Sequence, residues 1–254
     1  IRTRPPLQPI SANHVSNYLF SFESDIAQVV GLILLFAESA GSLAELGAFS
    51  ALNTIAPNLL AVLDDYFYNQ VSIIRNGPVK YLEHRYGDEW IHVLDRSEVG
   101  IDDAGSIASL NVASFSASIL PAVQARLDAK AKWTKFDPAN SGHAILLMVG
   151  LCREMGALTQ TEIKRHLKRF EVQDIRFDSF FYCAHLLGWL GRVRKGNHIF
   201  YVAIGGDSAL DYSLDEAAPF REKIRWRNDI RMFWKANDAP RFNAIVSLTA
   251  VPKQ

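Results

Sequence analysis

Cysteine is scarce in this chain, with two residues among 254. Cys152 and Cys183 both fall on the apolar faces of predicted helices, so we expect buried thiols rather than a disulfide or a metal-binding pair. Such sparse use of cysteine is typical of proteins in a reducing compartment. It therefore predicts a cytoplasmic protein.

Long hydrophobic runs are also missing. The longest apolar stretch, Ile26 to Ala37, is interrupted by Gln28 and Gly31 and falls short of the roughly 20 residues needed to cross a bilayer. We therefore expect no membrane partner. The apolar fraction, 49%, is normal for a globular chain of one or two domains with a substantial core.

Common catalytic signatures are absent as well: there is no P-loop, no GxGxxG opening a helix and no GxSxG elbow. The densest polar cluster runs from His84 to Asp95, but His84 and His92 are eight residues apart, which fits no common zinc motif. The sequence thus indicates no metal, no cofactor and no catalytic residue. A helical HEPN-like ribonuclease that uses Arg85 and His92 is the remaining enzyme hypothesis, although Gly87 should break the helix between them.

Charge is divided unevenly along the chain, although Lys plus Arg and Asp plus Glu both number 27. Residues 1–125 carry 6 basic and 13 acidic side chains, whereas residues 126–235 carry 19 basic and 13 acidic ones. A basic segment joined to an acidic one fits a protein that presents one face to a polyanion. The alternative is that each basic cluster is an ordinary solvated helix face.

The most informative stretch runs from Leu158 to Ile204. Thr159 and Glu162 have the spacing of a capping box, which predicts the start of a helix. Ile163 and Leu167 supply the apolar face of that helix, and its other face is strongly basic.

A second helix is expected to begin near Asp174 or Asp178 and to run to Leu187. Its apolar stripe is rich in phenylalanine. Gly188 follows it and is suited to a left-handed helix cap.

From Trp189 the pattern changes from helical spacing to alternation, and Lys195-Gly196-Asn197 supplies a turn. This predicts a β-hairpin with a basic tip. An earlier helix, with Asn140 or Ser141 as its cap and residues 144–155 as its body, would complete a three-helix core on which the hairpin packs.

This order of elements resembles the winged helix-turn-helix superfamily, most closely the MarR-like and related bacterial regulators, over residues 140–204. The junction Leu186-Leu187-Gly188-Trp189-Leu190 carries the resemblance together with the three helices and the hairpin. It implies double-stranded DNA as the partner, with the second helix of the pair in the major groove and the wing on the backbone or minor groove. The DNA-binding residues nominated on the two helices and the wing are Lys164, Arg165, Lys168, Arg169, Arg176, Ser179, Tyr182, His185, Arg192, Arg194, Lys195 and Asn197.

The second helix departs from that family in its composition. It is aromatic and nearly uncharged, whereas contacts to base edges favour Arg, Lys, Asn and Gln. A winged helix used for protein contacts within a larger assembly is therefore the alternative interpretation.

The first 125 residues are predicted to be mostly helical. One helix is expected from Ser24-Asp25 through Glu38, and another from Pro57 through Tyr66 and beyond, because their apolar residues fit helical spacing. Such flanking helices would serve dimerisation, effector binding or partner binding.

The predicted fold class is mainly α: a helical N-terminal part plus a winged-helix domain of three helices and a β-hairpin wing. The expected domains are a helical domain at 1–125, a connecting helix and linker at 126–139, the winged helix at 140–204, and a C-terminal loop and helix at 205–254 that pack on it. We expect a DNA-binding protein, a transcriptional regulator that acts as a homodimer, because two wings can then meet two half-sites one helical turn apart. The sequence leaves open whether the protein also binds a small-molecule effector or a protein partner.

Overall fold

The computed structural model describes residues 24–129, 134–205, 210–213 and 222–249. The fold is mainly α-helical, with two small sheets among these residues. The chain divides into two compact units. We call residues 30–135 the sheet unit, and the described residues of 24–29 and 136–249 the hairpin unit.

Three parallel strands form the centre of the sheet unit, in the order β1 (Ile33–Phe36), β2 (Leu59–Asp64) and β3 (Ile91–Leu94). Two of the helices predicted in the N-terminal part are wrong, because β1 and β2 take the place of the helices expected through Glu38 and from Pro57. Helices still make up most of the regular structure of this unit. The first five residues of β2 are all buried. A strand inside a parallel sheet is covered on both faces, so it appears in sequence as a continuous apolar run that spacing cannot distinguish from a buried helix.

Helices surround this sheet. The longest of them, α5 (Val112–Asp128), packs with Val99 over one face of the sheet, where Val62, Leu94 and Ile119 are buried together. It also continues across the domain boundary predicted at residue 125. The helices of the unit are α1 (Ala40–Ala51), α2 (Asp65–Asn69), α3 (Lys80–Tyr86), α4 (Arg96–Val99) and α5 (Val112–Asp128), with short helical turns at Ala56–Asn58, Arg75–Val79 and Asp88–Trp90.

The hairpin unit contains the helices and the hairpin that the sequence predicts between residues 140 and 204, followed by two further helices. A turn of helix at residues 24–27 also belongs to it. Its elements are α6 (Ser141–Met155), α7 (Gln160–Arg169), α8 (Phe177–Leu186), β4 (Leu190–Lys195), β5 (His198–Ala203), α9 (Lys223–Asn237) and α10 (Ala239–Thr249).

Local signals set the ends of these elements. The side chain of Asn140 accepts the backbone N–H of His143 at 2.9 Å, and Thr159 forms the predicted capping box with Glu162. After α8 the backbone of Gly188 is left-handed, with φ +74°. Gly196 has φ +60° at the first turn position of the hairpin, which a residue with a side chain rarely adopts.

The core of the hairpin unit lies between α6, α7, α8 and one face of the hairpin. Cys152 and Cys183 are buried in it as free thiols, which confirms the prediction for both. Burial raises the pKa of each thiol, that of Cys183 to about 12, so neither is a reactive thiolate.

The opposite face of the hairpin packs on α10. Phe200 and Val202 are buried there with Ala244 and Ile245. A side chain at Gly191 would collide with Leu248, so glycine permits the close approach of α10 to β4. Within the described ranges no helix combines enough length and apolarity to span a bilayer.

Candidate functional site

The outer face of α7 is basic. Arg165, Lys168 and Arg169 are exposed, while Ile163 and Leu167 on the inner face are fully buried. Sequence reasoning nominated all three cations together with Lys164. The structure places the Lys164 ammonium 5.7 Å from the centroid of the Phe177 ring at the start of α8.

The hairpin carries a second basic row. Arg192 and Arg194 are exposed on β4 and pair with Tyr201 and Ile199, so these side chains share one face of the hairpin. Burial raises the pKa of Tyr201, and the positive charge of Arg192 opposes that rise. The nominated residues at the tip differ in exposure, since Lys195 is half-buried whereas Asn197 is exposed.

Tyr201 shows which helix this basic face borders. Its ring meets the Phe181 ring of α8 edge to face, with the centroids 4.9 Å apart. It also meets Phe177 at 5.1 Å. The basic row of the hairpin therefore lies on the α8 side, and the side packed on α10 is apolar.

Two residues nominated on or beside α8 are engaged within the protein. Arg176 donates to Asp25 Oδ1 at 2.7 Å, and Ser179 donates to Asp25 Oδ2 at the same distance. The Asp25 side chain is 1% exposed. These contacts hold the turn at residues 24–27 against α8. Sequence reasoning missed Asp25 as their partner, because the residues lie about 150 positions apart and no local pattern connects them.

The other two nominated residues of α8, Tyr182 and His185, are half-buried. His185 Nδ1 lies 2.9 Å from the carbonyl oxygen of Leu190, and its ring stacks on Phe181 with the centroids 5.4 Å apart. This surface of α8 thus offers aromatic rings and the exposed carboxylate of Asp178 rather than basic side chains.

The sheet unit has a polar edge of its own. Asp64 is the last residue of β2, and Asp65 follows it directly. Asp95 and Arg96 follow β3 in the same way. The Arg96 guanidinium donates to Asp64 Oδ2 at 2.7 Å, and its backbone N–H donates to Asp65 Oδ1 at 3.3 Å. Ligands of parallel α/β sheets bind outside the carboxyl ends of the strands, so this edge is a candidate site. Sequence reasoning missed it because it missed the strands.

The cluster between residues 84 and 95 does not form one site. Arg85 lies on α3, whereas His92 lies on β3 with its Nε2 3.0 Å from Ser118 Oγ. The helical HEPN-like hypothesis is therefore wrong, since it needs both residues in a helical frame and Gly87 separates them with φ +119°. Among the described residues, no three His, Cys, Asp or Glu side chains converge as metal ligands.

These features define a class of protein in which a parallel α/β unit with an acidic sheet edge is joined to a helix-and-hairpin unit with basic exposed rows. The chain belongs to the STM3845 retron effector protein family, whose family model matches residues 7–192.

A stretch of 64 residues is also 42% identical to the Escherichia coli protein described as "Retron Ec86 putative ribosyltransferase/DNA-binding protein". That stretch is 25% of this chain and 21% of the relative, so the chain matches about a fifth of the length of that curated protein. Neither comparison names a transcriptional regulator, and that function stays a prediction.

Proposed function

We propose that this retron effector binds double-stranded DNA and that the hairpin unit, acting as a winged helix, makes the contact. The observation that carries the proposal is the position of Arg192 and Arg194 on the hairpin face that borders α8. The exposed cations of α7 add a further basic row, and the Escherichia coli relative is named for DNA binding.

The side chains available indicate how such binding would work. Exposed Arg and Lys residues suit phosphate oxygens, which position a protein on duplex DNA without reading its sequence. The surface of α8 offers Tyr182 and His185, whereas Arg176 and Ser179 are held by Asp25. We therefore expect strong salt dependence and weak sequence selectivity.

Charge reversal on the hairpin tests this proposal. The double variant Arg192→Glu/Arg194→Glu should weaken duplex binding and reduce the slope of log K against log salt by about 2, since each phosphate contact contributes about 0.9. Lys80→Glu/Arg85→Glu is the matched control, because both residues are exposed in the sheet unit and the change in net charge is identical. Fluorescence anisotropy with a labelled duplex at several salt concentrations measures both effects.

Equal slopes for the two double variants would reject the DNA-binding surface and favour a winged helix used for protein contacts. Homodimerisation also remains a prediction. Sedimentation of the same samples with and without duplex tests it.

A second candidate function, ribosyl transfer, is favoured by the acidic edge of the parallel sheet and by the name of the Escherichia coli relative. Cleavage at the anomeric carbon of a sugar develops positive charge there, which a nearby carboxylate stabilises or attacks. Asp65 is half-buried beside Arg96, whereas Asp64 is already paired with the Arg96 guanidinium. Asp65 is therefore the carboxylate that we propose for this role.

Release of a free base from nucleosides and nucleotides, followed by chromatography, tests this candidate. Asp65→Asn should abolish release, and Asp103→Asn, an acid of an exposed loop in the same unit, should leave it intact. Equal rates in the two variants would remove Asp65 from the chemistry.

A further inference from the structure

An exposed tyrosine lies beside the carboxylate proposed for ribosyl transfer. Tyr66 follows Asp65 directly in α2, at the carboxyl end of β2. The residue is 52% exposed, although its ring is large and mostly apolar. Ligands of parallel α/β sheets bind outside the carboxyl ends of the strands. The ring of Tyr66 therefore lies where such a ligand would bind.

Arg96 supports this ring from one side. Its guanidinium carbon lies 4.6 Å from the centroid of the Tyr66 ring, within the range of a cation–π contact. The guanidinium is itself fixed, since it donates to Asp64 Oδ2 at 2.7 Å and to the carbonyl oxygen of Asp103 at 3.4 Å. The Phe67 ring meets the Tyr66 ring edge to face, with the centroids 5.5 Å apart. These contacts hold the Tyr66 ring in place and leave its exposed area away from Arg96.

We call the Tyr66 ring and the Arg96 guanidinium together the Tyr66 platform. Arg96 also places this platform next to Asp65, because its backbone N–H donates to Asp65 Oδ1 at 3.3 Å. In a nucleoside the base is bonded directly to the anomeric carbon. A surface that holds the base therefore has to adjoin the group that acts on that carbon, and the Tyr66 platform adjoins Asp65.

We propose that the Tyr66 platform stacks the base of a nucleoside or nucleotide substrate and selects purines over pyrimidines. This inference rests on the proposed ribosyl transfer, in which Asp65 acts on the anomeric carbon. Aromatic side chains bind bases through their π-faces, and Arg96 leaves the outer part of the Tyr66 ring available for such a contact. A purine has two fused rings and covers more of the tyrosine than a pyrimidine does. Tyr66 is therefore the residue that determines specificity for the base.

Calorimetric titration of the full chain with adenosine, cytidine and ribose tests the platform without relying on catalysis. We expect adenosine to bind more tightly than cytidine, and ribose, which has no base, to bind most weakly. Tyr66→Ala should weaken adenosine binding by about 5- to 150-fold, the loss expected for one base–aromatic stack. Tyr66→Phe should bind adenosine like the wild type, because it keeps the ring.

Tyr81→Ala is the matched control, because Tyr81 is an exposed tyrosine on α3 of the same unit. Equal affinities for adenosine in Tyr66→Ala and Tyr81→Ala would overturn the proposal. Failure of the wild type to bind adenosine, or equal affinities for adenosine and cytidine, would overturn it as well.

The release of free base separates this proposal from that of ribosyl transfer. We expect Tyr66→Ala to raise the KM for release of adenine more than the KM for release of cytosine. Release of adenine with an unchanged KM in Tyr66→Ala would leave ribosyl transfer standing and overturn the platform. Adenosine binding that depends on Tyr66, without release of base, would overturn ribosyl transfer and support the platform as a surface that binds nucleosides.

Discussion

Arg241 on α10 is the residue whose replacement we expect to disturb the hairpin unit most. Its guanidinium donates to both carboxylate oxygens of Glu162, at 2.8 and 3.0 Å, and to the carbonyl oxygen of Ala157 at 3.0 Å. Its Nε donates to Asp238 at 3.0 Å. The side chain is 8% exposed, and the guanidinium carbon lies 4.2 Å from the centroid of the Trp234 ring. This network ties α10 to the capping box of α7.

Arg241→Met keeps much of the side-chain volume but removes every donor. Breaking a buried ion pair by removing one partner destabilises a protein by about 3–5 kcal/mol. Because the Glu162 side chain is 26% exposed and still accepts from Thr159, we expect the lower value, about 3 kcal/mol. Arg241→Lys should recover part of this loss, since it keeps the charge but not the fork of donors.

Hydrogen–deuterium exchange of α7 and α10 at increasing urea concentrations measures the free energy of opening in the hairpin unit alone. Arg165→Met is the matched control. Arg165 is exposed on α7, and its replacement should change stability by less than about 0.5 kcal/mol. Equal exchange in the Arg241 and Arg165 variants would refute the role given to this network.

The pH dependence gives an independent check on the same network. Burial alone would raise the pKa of Glu162, but hydrogen bonds from Arg241 and Thr159 outweigh it and hold the pKa below its ordinary value of 4.5. The ionised carboxylate therefore stabilises the fold above pH 4.5, and that stability is lost as the pH falls through the lower folded pKa. The difference between wild type and Arg241→Met should be largest near neutral pH. A difference that persists unchanged in acid would show that charge pairing is not its cause.

Three further predictions concern polar groups that are buried or half-buried. In the sheet unit, Arg126→Met should lower the free energy of unfolding by about 2 kcal/mol, measured by thermal melts. The substitution removes a guanidinium that lies 3.3 Å from the centroid of the Trp90 ring and donates to two backbone carbonyls. An unchanged melting curve would contradict this role of Arg126. Asp25→Ala should destabilise the hairpin unit by about 2 kcal/mol, because it removes a buried carboxylate that accepts from both Arg176 and Ser179; we expect faster exchange in α8, and unaltered exchange would count against it. Burial lowers the pKa of His92, so the sheet unit should lose stability as the pH falls from 6.5 toward the folded pKa. His92→Gln should flatten this dependence of stability on pH. An identical dependence in the variant and the wild type would exclude His92 as its cause.

Much of the hairpin unit could be predicted from short-range chemistry. The capping box of Thr159 and Glu162, the left-handed Gly188 and the turn at Gly196 each depend on residues within about four positions of one another. Helical spacing also placed Cys152 and Cys183 in the core. Each of these signals depends only on residues close together in the sequence, so spacing and residue type were sufficient to predict the elements that they define.

The sheet unit and the partners of the nominated residues depended on contacts between distant residues. β2 is an apolar run that becomes a strand because β1 and β3 pair with it on both sides. Arg176 is tied to Asp25 rather than left on a free surface, through a contact between residues 151 positions apart. The sequence by itself determined where α6, α7 and the hairpin begin and end and where α8 ends, because caps and turns act over a few residues. Only the tertiary structure decided which strands pair, which charges are buried and which remain exposed, because those outcomes depend on contacts between residues that are far apart in the sequence.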